Sequence, residues 1–171
     1  MRKYLKEETR IELLEALEKS EGRKIIFVDD DGVVCDFDLA AEEISKTLGI
    51  TAEEFKKQHL YRNKNFYLDL KPLPGAIDAV KLLSDKYEVR ILSAPSWVNV
   101  FSFTEKRIWM ENWFGDWAIK RMDLSFRKDL SMGHYLIDDR LKYGAGDFIG
   151  EHIHFGVGKF PNWEAVIKYL M

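Results

Sequence analysis

The side chains with most chemistry to offer stand where apolar runs stop. Asp29-Asp30-Asp31-Gly32 follows the run 24–28, Ser93 closes the run 87–92, Lys128 lies in a later loop, and Asp138-Asp139 follow the run 134–137. Carboxylates, one hydroxyl and one lysine are the parts of a phosphoryl-transfer site. A carboxylate cannot attack a phosphate dianion until the like charges are neutralised, which calls for Mg²⁺ on oxygen ligands and a lysine. Asp29 is the candidate nucleophile, forming an aspartyl phosphate that water then releases. Asp31 is the candidate general acid toward the leaving oxygen and the general base toward that water. Successive residues leaving a strand point to opposite sides, so Asp29 and Asp31 share one site more readily than Asp30, for which a structural place is expected. Gly32 allows a tight turn close to substrate. Ser93 is expected to donate to a phosphate oxygen, and Lys128, with Arg127 as a rival beside it, to hold the charge that develops there.

These residues need elements that present them together. The run 24–28 is short, continuously apolar and rich in β-branched and aromatic residues, as in a strand buried on both faces of a parallel sheet. Further strands are predicted at 87–92, 116–120, 134–137 and 153–155. Helices are predicted between them. One over 3–20 has an inner stripe of Ile11, Leu14 and Leu17; one carries Ala40, Ile44 and Leu48 and ends at Gly49; another opens with the capping box Thr51 and Glu54. Pro74 is placed at the first position of a helix with Ile77, Val80 and Leu83 inside. Trp109, Met110, Trp113 and Phe114 define a helix stopped by Gly115, and Asn162 caps a last one carrying Trp163, Val166, Ile167 and Leu170. The alternation predicts a single α/β domain with a doubly wound parallel sheet. Its core spans about 21–37 and 71–171, with a small helical cap at about 38–70 and an extra N-terminal helix at 3–20. Such sheets bind ligands at the carboxyl ends of their strands, where the chemical residues stand.

Bulk properties narrow the partners. The chain has 171 residues and a net charge of −3, which offers no general attraction to a nucleic-acid polymer but does not exclude a nucleotide. No apolar run approaches the roughly 20 residues of a membrane span. The first twenty residues are dense in Lys, Arg and Glu and lack the apolar core of a signal segment, so a cytoplasmic location is expected. Cys35 is alone, which excludes an internal disulfide and a four-cysteine zinc site. His152 and His154 alternate on one strand face but have no third nitrogen or sulfur ligand nearby in sequence, so packing is their expected role. Packing is likewise the default for Tyr61, Phe66 and Tyr67, and Arg140 is expected to brace the aspartates or face solvent.

The runs IIFVDDDGVV, ILSAP and YLIDDR, with Lys128, resemble the four signature motifs of the haloacid dehalogenase superfamily of phosphotransferases. Residues 65–76, Glu105-Lys106 followed by Trp109 and Phe114-Gly115, and Lys128 ten residues before the paired aspartates are similar to the 5′(3′)-deoxyribonucleotidase family in particular. The resemblance covers about residues 24–171. It implies a Mg²⁺-dependent phosphomonoesterase acting on (deoxy)nucleoside monophosphates. It also implies Asp29 as nucleophile and metal ligand, Asp31 as acid/base with its backbone carbonyl on the metal, and Asp139 as third ligand, or Asp138 in its place. Phe37 matches a base-stacking aromatic, Ser93 and Lys128 match phosphate contacts, and Trp97 and Lys106 fall near the substrate. The segment 38–70 is shorter than the caps of that family, which keeps a sugar phosphate or another small phosphorylated metabolite as an alternative substrate. A receiver-type signalling domain is more remote, because its accepting aspartate would end the strand that here ends in Ser93. A homodimer is compatible with all of these readings.

Overall fold

The computed structural model describes residues 6–19 and 22–171, so part of the predicted first helix lies outside the described residues. In chain order the elements are α1 (Glu7–Glu18), β1 (Ile25–Val28), α2 (Phe37–Leu48), α3 (Ala52–Lys57), α4 (Ala76–Lys86), β2 (Glu88–Ser93), α5 (Ser102–Phe114), β3 (Met122–Leu124), β4 (Tyr135–Asp138), β5 (Glu151–His154) and α6 (Trp163–Leu170). The five strands form one parallel sheet in the order β3-β2-β1-β4-β5, the predicted α/β architecture. β1 is central and its side chains are buried on both faces, which is why its sequence shows no polar alternation. Ile26, Val28, Ile91, Ile137 and Ile153 contribute to the larger core with Val80 and Leu83 of α4 and Val166 of α6. Phe27, Leu92 and Leu136 point the other way, onto Ala145 and Phe148.

The register fixes where the chemistry sits. Val28 is level with Ile91 on one side and Ile137 on the other, so Asp29, Ser93 and Asp138 leave the sheet at one edge.

Local signals fared unevenly. The Thr51–Glu54 capping box is present, and Asn162 caps α6 by accepting from the Ala165 amide. The strand predicted at 116–120 is instead a 3₁₀ turn over Gly115–Ala118, with β3 a few residues later. Trp117 drives the difference: its ring packs 4.8 Å from that of Phe114 and its Nε1 donates to Ser84 Oγ at 2.9 Å, contacts that need a helical turn. Pro74 lies ahead of α4, because Gly75 adopts a left-handed conformation (φ 74°) at the N-cap and the helix begins at Ala76. The buried face of α2 is Phe37, Ala41 and Ser45, while Ile44 and Leu48 are exposed. That helix is turned by one residue from the predicted stripe, because Phe37 enters an aromatic cluster. Ile11 on α1 is 49% exposed and Leu17 carries the burial there; Arg10 adds hydrogen bonds to the carbonyls of Asp147 and Phe148. On α5, Trp109, Met110 and Phe114 are buried and Trp113 is exposed. No described helix is long and apolar enough to cross a membrane.

Candidate active site

The Asp29 amide donates to Ile137 O at 2.8 Å, which extends the ladder between β1 and β4 by one residue and holds the acid at the sheet edge. The chain then coils back. Asp30 O accepts from the amides of Val33, Val34 and Cys35, and Gly32 takes φ 79° at the apex. The turn brings the Asp31 side chain over the edge.

Lys128 is buried and its ammonium lies 2.8 Å from Asp29 and 2.6 Å from Asp138. Burial works to lower its pKa, but the two carboxylates outweigh it and leave the pKa above the ordinary lysine value. Burial pushes Asp138 up to about 6, with repulsion from Asp29 adding to the push and Lys128 opposing it. Asp139 is also raised by burial, against the pull of Arg140, whose Nε lies 3.3 Å away. Arg127, the rival to Lys128, pairs with Asp129.

Carboxylate oxygens of Asp29, Asp138 and Asp139 lie within 4.8 Å of one another. Asp139 Oδ1 is buried with no hydrogen-bond partner among the described residues. Three converging carboxylates with one oxygen unused fit a hard divalent cation bound by oxygen. The Asp31 carboxylate belongs to a different group, with Asp30 and Cys35, and there the positive charge is supplied by Lys106. The Lys106 ammonium is 2.9 Å from Asp30 and 2.7 Å from Asp31, and 4.7 Å from the ring centre of Tyr67. At 1% exposure, this lysine is committed to the acid/base candidate and its neighbour. Cys35 Sγ also donates to Asp31 Oδ1.

Ser93 is buried beside Ala94, and its Oγ has no hydrogen-bond partner among the described residues. A small hollow of about 30 Å³ is lined by Asp29, Asp31, Lys128, Asp138, Arg140 and Tyr143. Asp31, Arg140 and Tyr143 also line a larger cleft of about 330 Å³, whose other walls include Phe37, Tyr61, Tyr67 and Trp97. Phe37 is packed edge-on by Tyr61 and Phe66, with ring centres 5.4 and 5.2 Å away, whereas Trp97 on the rim is 80% exposed.

Some supporting roles were not legible in the sequence. His152 and His154 donate from Nε2 to the carbonyls of Asp138 and Asp139 at 3.2 and 3.0 Å, with their rings stacked. A carbonyl can only accept, so each ring carries its proton on Nε2. Burial, with His154 alongside, lowers the His152 pKa and favours the neutral ring that this tautomer needs. Their alternation was visible; their target depends on the pairing of β5 with β4. Tyr143 was not legible as a wall of both hollows.

A parallel sheet that gathers carboxylates, a serine and a lysine at its carboxyl edge fits the haloacid dehalogenase superfamily of phosphohydrolases. Residues 38–159 match the family described as "5′ nucleotidase, deoxy (Pyrimidine), cytosolic type C protein". The chain is 40% identical over 152 residues to a "Putative 5′(3′)-deoxyribonucleotidase" of Vibrio phage KVP40, covering 89% of this chain and 87% of that protein. It is 30% identical over 167 residues to the human "5′(3′)-deoxyribonucleotidase, cytosolic type" (83% and 78% covered). To the human mitochondrial 5′(3′)-deoxyribonucleotidase it is 27% identical over 172 residues (85% and 71% covered). The chain belongs to the 5′(3′)-deoxyribonucleotidase family and is a phosphate-monoester hydrolase.

Gly32 ties the loop after β1 to the acidic pair. A Cβ at this position would stand 2.7 Å from Asp139 Oδ2, on a backbone whose φ is 79°. Gly32→Ala should therefore displace Asp139, beyond the left-handed strain of roughly 1–2 kcal/mol. If Asp139 helps to hold a divalent cation, the expected result is a fall in kcat/KM of about tenfold or more together with a higher cation concentration for half-maximal release. Titrating phosphate release against cation concentration checks it; an unchanged half-saturation would separate Asp139 from the cation.

Proposed function

We propose that the protein is a magnesium-dependent phosphatase of (deoxy)nucleoside monophosphates that works through an aspartyl phosphate on Asp29. The observation that carries this reading is that two neighbouring hollows share Asp31, Arg140 and Tyr143 as walls. The small one has the charges for a phosphoryl group, and the larger one has the volume and aromatic walls for a nucleoside. Stacking a base on such walls contributes about 1–3 kcal/mol per base. Lys56, His59 and Ser96 of the cleft could hydrogen-bond a sugar, but the aromatic side chains Phe37, Tyr61, Tyr67 and Trp97 on its walls favour a base. The relatives named as deoxyribonucleotidases support the same substrate.

Asp29 and Asp139, with the Asp31 carbonyl, are the proposed holders of Mg²⁺, and Asp138 stands beside them to pair with Lys128. When bound, the ion supplies positive charge that lets an anionic nucleophile approach an anionic phosphate. Asp29 then forms an O–P bond as the bond from phosphorus to the leaving oxygen breaks. Asp31 gives its proton to that oxygen, freeing the nucleoside. Next Asp31 takes a proton from water, whose oxygen attacks phosphorus and releases inorganic phosphate and Asp29. Because Asp31 Oδ1 accepts from both Lys106 and Cys35, the proton is assigned to Oδ2. Lys128 holds the charge that develops on the phosphoryl oxygens, and Ser93 Oγ donates to one of them.

A panel of monophosphates assayed for phosphate release with Mg²⁺ tests the reading. Deoxynucleoside monophosphates should exceed sugar phosphates in kcat/KM by at least about tenfold. Chelation by EDTA should abolish turnover and added Mg²⁺ should restore it. A preference for sugar phosphates would overturn the substrate, and turnover undiminished by chelation would overturn the metal.

A further inference from the structure

The aromatic wall of the cleft is carried by residues 61–70, which beyond the 3₁₀ turn Leu60–Arg62 belong to no helix or strand. Phe66, Tyr67 and Leu70 of this segment are buried while residues 62–65 are exposed, and beside turn bonds such as Phe66 N–H to Asn63 O its backbone groups need partners from outside. Side chains of the core supply them. Asn99, buried in the loop after β2, donates Nδ2 to the carbonyls of Tyr61 and Asn63 at 2.7 and 3.2 Å. Glu105 on α5, 5% exposed, accepts from the amides of Asn65 at 2.5 Å and Tyr67 at 3.1 Å, one on each carboxylate oxygen. Trp109, one helical turn further, donates Nε1 to Leu70 O at 2.7 Å. Asn65 itself is left-handed, with φ 71°, a conformation that asparagine tolerates better than other non-glycine residues.

From this geometry we infer that Glu105 and Asn99 are specificity-positioning residues, which hold Tyr61 and Tyr67 at the distance from Asp31 that a nucleoside requires. The inference rests on the nucleotide reading above. Neither side chain lines the cleft, so each acts through the segment it holds. Glu105 suits the task because a carboxylate accepts on both oxygens, and bonds from N–H groups to a charged acceptor are the strong kind. A glutamine would keep one acceptor and turn an NH₂ donor against the other amide. The chemical step is insulated from this clamp, since Lys106 keeps Asp30 and Asp31 as partners whatever the exact height of the Tyr67 ring.

Glu105→Gln should raise KM for a deoxynucleoside monophosphate by about tenfold while kcat stays within about threefold. In the same variant, hydrogen exchange of the Asn65 and Tyr67 amides should lose at least about tenfold in protection, with the β1 amides unchanged. Asn99→Ala, which removes both donors without adding charge, should give the same rise in KM and supplies the test if Glu105→Gln does not fold. A fall in kcat at constant KM, or an unchanged KM with unchanged amide protection, would overturn the inference. Should the wild-type protein release no phosphate from nucleotides, the functional reading fails by itself, and the exchange of the two amides still reports whether the clamp exists.

Discussion

Asp29→Asn is expected to lower phosphate release by about 10⁴-fold or more without loss of the fold. The asparagine keeps the size of the side chain and leaves the amide bond from residue 29 to Ile137 O intact. It removes the anionic oxygen that would bond to phosphorus and weakens the carboxylate group proposed to hold the cation. Stability should not suffer. Asp29 and Asp138 repel one another in the wild-type site, and Lys128 retains Asp138 at 2.6 Å once Asp29 is neutral. Steady-state assays on the best nucleotide, beside thermal unfolding of both proteins, decide the matter. A variant that turns over at the wild-type rate would remove Asp29 from the chemistry, and one that fails to fold would show that its charge is structural.

Lys106→Met is the second large effect, and it should strike stability and turnover together. The lysine is buried between two carboxylates, Asp30 and Asp31, and its loss leaves the buried Asp30 and the partly exposed Asp31 without that counter-charge. Breaking such a pair costs about 3–5 kcal/mol. For a chain of this size each kcal/mol is worth roughly 2–4 °C in Tm. Burial already pushes the Asp30 pKa upward against the pull of Lys106, with repulsion from Asp31 added, so removal of the ammonium moves it further in the same direction. A carboxylate whose folded pKa stands above its unfolded value takes stability away as pH rises through that interval. The deficit of the variant should therefore shrink toward acid pH and widen toward neutrality. Turnover should fall by about 10² or more if Asp31 is the acid/base, because its carboxylate loses the cation that holds it in place. The double variant Lys106→Met with Asp30→Asn should recover part of the Tm and little of kcat. If Lys106→Met raised KM alone, with Tm and kcat untouched, the lysine would be a substrate contact, as the family resemblance implied.

That contrast separates what residue order reveals from what packing decides. The strand ends were legible because a strand buried on both faces in a parallel sheet is written as a short apolar run, and a polar residue at its end is local information. Hence Asp29, Asp31, Ser93, Lys128 and the Asp138–Asp139 pair could be named, along with the α/β class, the Thr51 capping box and the Asn162 cap. These features depend on residues within about one turn of one another or on a repeating period.

What needed the tertiary structure was every pairing between distant parts. Lys106 meets Asp30 across 76 positions, and Glu105 meets Tyr67 across 38. The histidines of β5 reach the Asp138 and Asp139 carbonyls through the parallel register with β4. The buried face of α2 was also decided at this level. Ala40, Ile44 and Leu48 form as regular a stripe as Phe37, Ala41 and Ser45, and only the aromatic cluster around Phe37 selects the second. The 3₁₀ turn at Gly115–Ala118 follows the same logic, since Trp117 reads as a strand residue until Ser84 and Phe114 are beside it. Residue type and local spacing thus determined the class of chemistry in this protein. The packing of α5 against the loop after β1 determined which lysine pairs with Asp31, and its packing against the segment 61–70 how the cleft is walled, because contacts between remote segments exist only once the sheet has set their distance.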